Sequence, residues 1–357
     1  MPVPTFSGEA QNLAERIPLF RISDDMAMCP SVNGLYNSVL VQFEKCLATG
    51  AQREKYFRHR DQTLETEVER LMRRLFGARA RYYIGVFETP DQHFEHDLVI
   101  VSDSVVIAVE AKASAPVEPF RDPDKAFTRI QRAFRSSSGI QHAFDQGNRL
   151  WTRWASGEGI ALYDGQGQSV CRFDKKSAPE MFVICATRDN FGTLAVDLSL
   201  LLERGATTLY PWAVNVLDLE AIVGAWEYFS WNHTRLLDYL RQRCRLHGRT
   251  ICSDELDIVG FFMQHGNLNW ISDSQAERVH VSPNYSTVFD RIYHAQHGGE
   301  PVELKPTPPY MADVGASIRK GRLVSIGPKI TGRRSRQGRN ELCMCGSGEK
   351  YKHCCGR

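Results

Sequence analysis

Residues 94–113, FEHDLVIVSDSVVIAVEAKA, constrain this chain more than any other stretch. Residues 98–101 and 105–109 are β-branched or apolar throughout, and Ser102, Asp103 and Ser104 between them form a short polar break with turn chemistry. The pattern predicts a β-hairpin. Side chains alternate faces along a strand, so Glu110 and Lys112 share one face with Val106 and Ala108, while Ile107, Val109 and Ala111 point the other way. A charged pair therefore projects from a strand that is otherwise core. Asp97 precedes Glu110 by thirteen residues, enough for a strand to run out, turn and return to the same level. The two carboxylates are expected to face each other across adjacent strands.

Two carboxylates at one point of a sheet repel, and each has a raised pKa unless a cation lies between them. Hard oxygen ligands with few other groups suit Mg²⁺, which keeps waters that a substrate phosphate can displace. A lysine one residue beyond the second acid, on its face, can approach a metal-bound water or a phosphate oxygen. These are the parts of metal-assisted phosphodiester hydrolysis.

The arrangement resembles the PD-(D/E)xK nuclease superfamily, with Asp97 as the first acid and Glu110-Ala111-Lys112 as the ExK. The proline that precedes the first acid is missing, and His96 stands there. The resemblance implies an α/β, restriction-endonuclease-like fold: a mixed β-sheet flanked by helices. It also implies that Asp97, Glu110 and the carbonyl of Ala111 hold a catalytic Mg or Mn ion and that Lys112 positions or deprotonates the attacking water. A helix before the hairpin supplies another carboxylate in this fold. Residues 64–76 (LETEVERLMRRLF) carry an apolar helical stripe at 64, 68, 71, 72 and 75, ended by Gly77. Glu65 beside that stripe is the first choice for the additional acid and Glu69 the second. The resemblance further suggests that Gln141 or Gln146, in the one or two helices read over residues 124–151, leans toward the phosphate. Lys125, Arg129, Arg132 and Arg135 recur at helical spacing just after the ExK and are read as a phosphate-neutralising stripe.

At 357 residues the chain can hold more than one compact unit, and its composition is that of an ordinary globular protein. No apolar run is long enough for a membrane helix, so no membrane is expected as a partner. The start MPVPTFSGEAQ lacks a basic segment followed by an apolar one, so a cytoplasmic location is expected. Cys29, Cys46, Cys171, Cys185, Cys244 and Cys252 are scattered singly, as in a reducing compartment. The basic, aromatic run 53–60 (REKYFRHR) reads as a solvated helix face. A first strand is expected about residues 81–87.

After the ExK region, residues 160–163 and 169–173 form a predicted hairpin about Asp164-Gly165-Gln166-Gly167. Residues 181–187 (MFVICAT) read as a buried strand, 196–204 as a helix, 212–217 as an edge or late strand, and 219–246 and about 254–265 as helices. Trp226, Tyr228, Phe229 and Trp231 lie at helical spacing and are read as core. Pro301, Pro306, Pro308 and Pro309 argue for a linker or surface wrap. Residues 318–357 hold eleven Lys and Arg against Glu341 and Glu349, a balance of +9 that leaves −7 for the rest of a chain whose total is +2. Such a tail can hold nucleic acid or another polyanion through counterion release, or serve equally as a solubilising flexible segment.

Cys343, Cys345, Cys354 and Cys355 close the sequence, with Gly346-Ser347-Gly348 letting so short a loop fold back. Four thiolates so placed match a tetrahedral structural Zn site, whose binding energy folds a segment too small for a core. The stretch CMCGSGEKYKHCCG resembles the SEC-C zinc module known from the protein-export translocase ATPase, and that resemblance implies a docking role toward a protein partner. The expected division is an N-terminal helical segment 1–60, a nuclease-like domain 61–218, a helical region 219–297, a Pro-rich then basic linker 298–340 and the zinc motif 341–357. The expected function is metal-dependent hydrolysis of nucleic acid, DNA in the first place. The alternative is a non-catalytic adaptor that binds nucleic acid, ribosome or chaperone through the zinc module.

Overall fold

The computed structural model describes residues 19–29, 32–102, 104–113, 123–207, 209–305, 310–313, 323–327 and 350–353. A two-residue strand pair, β1 (Phe20–Arg21) and β2 (Ala27–Met28), precedes α1 (Val32–Leu47). Helix α2 (Arg53–Phe76) follows as one continuous rod, so the basic run 53–60 forms its first turns. There the Arg60 guanidinium pairs with Asp61 at 2.8 Å and lies 4.6 Å over the Phe57 ring. The predicted stripe is buried at Leu64, Val68, Leu71, Met72 and Leu75, and the helix stops at Gly77, whose φ of 59° suits a residue without a Cβ.

Then come β3 (Ala80–Phe87), β4 (Glu95–Ser102), β5 (Val105–Lys112), α3 (Pro123–Phe134), α4 (Ile140–Ala155), β6 (Ile160–Tyr163), β7 (Ser169–Phe173), β8 (Glu180–Thr187), α5 (Thr193–Val196) and β9 (Trp212–Asn215). Seven strands form one mixed sheet in the order β7-β6-β3-β4-β5-β8-β9. The hairpin pairs Leu98 with Val109 and Ile100 with Ile107. Strand β8 runs parallel to β5 from Val105↔Glu180 to Lys112↔Thr187, and the crossover between them passes through α3 and α4.

Helices cover both faces. Leu98, Ile100, Ile107 and Val109 pack with the α2 stripe, while Val106 and Ala108 share a cluster with Leu150 and Trp154 of α4. At Gly147 the α4 backbone comes so close to β8 that an added Cβ would stand 2.5 Å from Val183 Cγ1.

The rest of the described chain joins the α2 side. It forms α6 (Val216–Tyr228), α7 (His233–Arg243), α8 (Glu255–His265), α9 (Asn269–Ser272), α10 (Thr287–Gln296) and a second sheet. Leu219, Ile222, Leu236, Phe262 and Ile292 belong to the same apolar cluster as Leu71 and Ile107, so the helical stretch and the large sheet share one core. Trp226 is buried in it, and Tyr228, Phe229 and Trp231 pack against it.

Three sequence expectations change. No helix spans 196–204: Asp197 ends α5, and its carboxylate accepts from Ser199 and Gly248 backbone N–H groups, setting a 3-10 turn at Leu198–Leu200. The helix expected over 219–246 is two, parted at Ser230 (φ 54°) and restarted by Asn232, which accepts from Thr234 N–H. Within the stretch expected to be linker, β12 (Tyr310–Asp313) and β13 (Leu323–Gly327) complete a four-stranded sheet with β10 (Thr250–Ile251) and β11 (Arg278–Val281), in the order β10-β11-β13-β12. Pro301 precedes this pairing, so it removes no ladder donor.

Candidate catalytic cleft

The site lies where β4 and β5 part. The ladder's last pair is Leu98↔Val109, and the next inward N–H, that of Ala111, donates to Asp97 Oδ2 at 2.7 Å. Lys112 Nζ stands 3.5 Å from the same oxygen, and both side chains are more than four-fifths buried. A cleft of about 300 Å³ opens beside them, lined by Gln62, Glu65, Thr66, Asp97, Val109 and Ala111 among others. Helix α2 brings Glu65 to its exposed lip. The cleft wall takes water from Glu65, and the charge of Asp97 adds to this, so its pKa is held up to about 7 despite the opposing pull of Lys112. Glu69 also lines the cleft, but Arg73 Nε holds it at 2.6 Å.

Glu110 lies elsewhere than expected. It stays on the α4 face with Val106 and Ala108, fully buried. Its Oε1 is 2.6 Å from His96 Nδ1, and its Oε2 has no hydrogen-bond partner among the described residues. Asp97 and Glu110 thus stand near each other but hold different partners. The cause is in β3. Gly85 takes a φ of 55°, and Ile84 faces the cleft while Val86, two residues on, packs in the α4 cluster. The face switches at Gly85, and His96, paired with Val86, meets Glu110 on the α4 side. Burial raises the Glu110 pKa, the His96 contacts oppose this, and the Asp97 charge reinforces it.

Behind Glu110 runs a relay of charges. His96 Nε2 is 3.2 Å from Glu88 Oε1, which also accepts from Arg149 Nε at 2.7 Å, while Arg153 Nη1 is 2.6 Å from Glu88 Oε2. Burial would push Glu88 up, but His96 and the two guanidiniums together hold its pKa down at about 2. Burial likewise disfavours a charged His96, yet Glu110 and Glu88 on its two nitrogens hold it up at about 9. The pKa of His142 on α4 is depressed by burial and by the Lys112 charge.

Neither glutamine turns to the cleft through a described contact. Gln141 donates to Asp145 and to Glu203 O and accepts from Glu203 N–H, and Gln146 Nε2 lies 3.5 Å from Glu95 O. In the basic stripe, Arg135 is held by Glu203 at 2.7 Å and by Leu201 O, Arg132 is exposed and Arg129 half-buried; the Lys125 side chain lies outside the described residues. Cys343, Cys345, Cys354 and Cys355 also lie outside them. Among the described residues no three His, Cys, Asp or Glu gather closely enough to hold a metal, and no helix is long and apolar enough to cross a membrane.

The residues that sequence reasoning passed over are His96, Glu88, Arg149 and Arg153. One signal was available: Arg149 and Arg153 are four apart, so a helix presents both to one carboxylate.

Comparison with known proteins finds a family match at the C-terminus. The model of the SEC-C motif, a zinc-binding motif, matches residues 339–357. The protein translocase subunit SecA of Acetivibrio thermocellus is 41% identical over 63 residues, 18% of this chain and 6% of that protein. That of Nitratiruptor sp. is 50% identical over 42 residues, 12% of this chain and 5% of that protein. The Polynucleobacter necessarius subunit is 28% identical over 131 residues, 35% of this chain and 14% of that protein. This chain therefore spans a small fraction of the length of these relatives, and the likeness is to their SEC-C region. No solved structure matches.

Proposed function

We propose that this chain is a divalent-metal-dependent nuclease that cleaves phosphodiester bonds of nucleic acid, DNA in the first place. The reading rests above all on one observation: Glu65 and Asp97 share a cleft at the open end of the sheet, with Lys112 at 3.5 Å from Asp97 and Glu110 buried behind it. The element order supports it, since α2-β3-β4-β5 is the helix-then-three-strand start expected of a PD-(D/E)xK core, and β8 later joins the sheet parallel to β5.

The residues fit a magnesium ion. Glu110 Oε2 is a buried acceptor without a described partner, and burial, reinforced by the Asp97 charge, raises the Glu65 pKa to about 7. Mg²⁺ is commonly bound through one or two carboxylates and its own waters, so a cluster of three is not required. Asp97, Glu110 and the Ala111 carbonyl would hold it, with Glu65 supporting, and when bound it supplies an acidified water and offsets phosphate charge. Lys112 Nζ orients the attacking oxygen or a phosphate oxygen. Glu65, with a pKa of about 7, can hold or take up a proton at a carboxylate oxygen facing the cleft.

The zinc module is a separate function. Cys343, Cys345, Cys354 and Cys355 would hold one structural Zn²⁺. The motif's place in protein translocase subunits supports a protein partner, and the +9 charge of residues 318–357 supports retention of a polyanion.

Cleavage of supercoiled plasmid and of labelled single-stranded DNA and RNA with Mg²⁺ or Mn²⁺ tests the proposal. Metal-dependent cutting by wild type, lost in Glu110→Ala and Lys112→Ala, is the expected result. A folded, zinc-loaded wild type that cuts none of the three overturns it in favour of a non-catalytic adaptor.

A further inference from the structure

We infer that His96 is a positioning residue for Glu110: its Nδ1–H fixes one carboxylate oxygen, leaving Oε2 as the oxygen offered to a divalent cation beside Asp97. The inference rests on the metal-dependent reading above and names the residue that orients its most buried acid.

Glu110 has no exposed surface and neither has His96. A buried carboxylate free to turn about its last torsion could present either oxygen; the 2.6 Å contact to His96 removes that freedom. His96 is itself fixed, because Glu88 takes its other nitrogen, and Arg149 and Arg153 hold Glu88 from α4. The chain of contacts therefore runs from a helix on one face of the sheet to the metal side of β5 and leaves one acceptor, Oε2, without a described partner. Carboxylates that ligate metals are commonly hydrogen-bonded by such outer groups. His96 occupies the position directly before the first acid, so the same backbone step that aims Asp97 into the cleft delivers the imidazole to Glu110.

A purely structural histidine would serve as well by touching either acid. The two nitrogens can be separated by substitution. In His96→Asn the amide nitrogen lies near the place of Nδ1 and keeps the bond to Glu110; in His96→Gln it lies near the place of Nε2 and keeps the bond to Glu88. Mn²⁺ affinity of the full chain, read by calorimetry or electron paramagnetic resonance, is the measurement. His96→Asn should stay within roughly threefold of wild type, and His96→Gln should weaken binding by roughly 10–100-fold, the usual effect of losing an outer-shell partner. Equal losses in the two, or a His96→Gln that binds as wild type does, would overturn the inference. Should either fail to fold, Glu88→Gln replaces it. That variant leaves the Glu110 contact in place and should keep affinity within about threefold, and a loss of 10-fold or more overturns the proposal. A wild type that binds no Mn²⁺ and cuts nothing removes the nuclease reading and this inference together. A wild type that binds and cuts while the Asn and Gln variants behave alike removes this inference alone.

Discussion

Glu255→Gln should destabilise the whole described body, because Glu255 ties the helical stretch to the large sheet. Its carboxylate lies against Arg243 Nε at 2.9 Å and Nη2 at 2.8 Å, accepts from Trp212 Nε1 at 2.7 Å, and accepts from the Tyr239 hydroxyl. Strand β9, helix α7 and the first turn of α8 meet on this one side chain. Arg243 is fully buried and Glu255 nearly so, at 0% and 3% exposure. Glutamine keeps an oxygen for Trp212 and Tyr239 but removes the charge, leaving a guanidinium in the core without an anion. Breaking such a pair from one side costs about 3–5 kcal/mol. With an unfolding entropy of about 2.1 cal/mol/K per residue, a chain of 357 residues that melts as one unit loses about 4–7 °C in Tm. Calorimetry with near-ultraviolet circular dichroism measures this. The double variant Arg243→Met, Glu255→Gln should recover at least half of the loss, since the stranded cation is gone and the acceptor for Trp212 and Tyr239 remains. A Glu255→Gln protein that melts within about 1 °C of wild type would refute the claim that this pair joins helices and sheet.

The Glu65 carboxyl is held at about 7 against an ordinary value of 4.5, so the folded chain binds its proton more tightly than the unfolded one. Its contribution is full below the ordinary value and is lost as pH rises through 7. Glu65→Gln should therefore match wild type in thermal melts at pH 4 and melt higher at pH 8, and a constant difference across that range would count against the cleft environment described. Gly147→Ala brings a methyl to 2.5 Å from Val183 and should cost roughly 1–3 kcal/mol in urea unfolding, with Val183→Ala restoring part of it. Deleting residues 341–357 should take bound zinc from about one per chain to none, by elemental analysis, while the thermal midpoint of the core stays in place.

The parts legible in the sequence are those with a local period. The β4–β5 hairpin shows as two β-branched runs about a polar break, the α2 stripe as apolar residues three and four apart, and β8 as an unbroken apolar run, MFVICAT. Asp97 and Glu65 line one cleft, and Lys112 reaches Asp97, because each sits on such an element. What escaped prediction depends on single residues that override a period or on distant pairing. Gly85 turns β3 over by one positive φ, and this sends His96 to Glu110 and leaves Asp97 to the Ala111 N–H. Asp197 and Asn232 favour capping over helix continuation, which leaves no helix over 196–204 and divides the one predicted over 219–246. The pairing of β11 with β13 joins residues about 45 positions apart, such as Val279 and Val324, and no window around either contains the other.

The rival readings part on the burial of Glu110. A carboxyl group placed in a protein interior opposes folding unless its oxygens are satisfied, and here one of the two has no described partner. Val106 and Ala108 occupy the preceding positions of the same face, so an apolar side chain fits that environment. A sheet that served only to carry a docking module would gain stability from one at position 110, and would need neither the His96–Glu88 contact nor two α4 arginines to hold it. Such a cost beside the Asp97–Lys112 pair and the Glu65 cleft favours the proposed reading, because ligand oxygens kept for a cation cannot be consumed by neighbouring donors. On the proposed reading the zinc module and the basic tail recruit a partner or a polyanion, and the cleft beside Asp97 carries the chemistry.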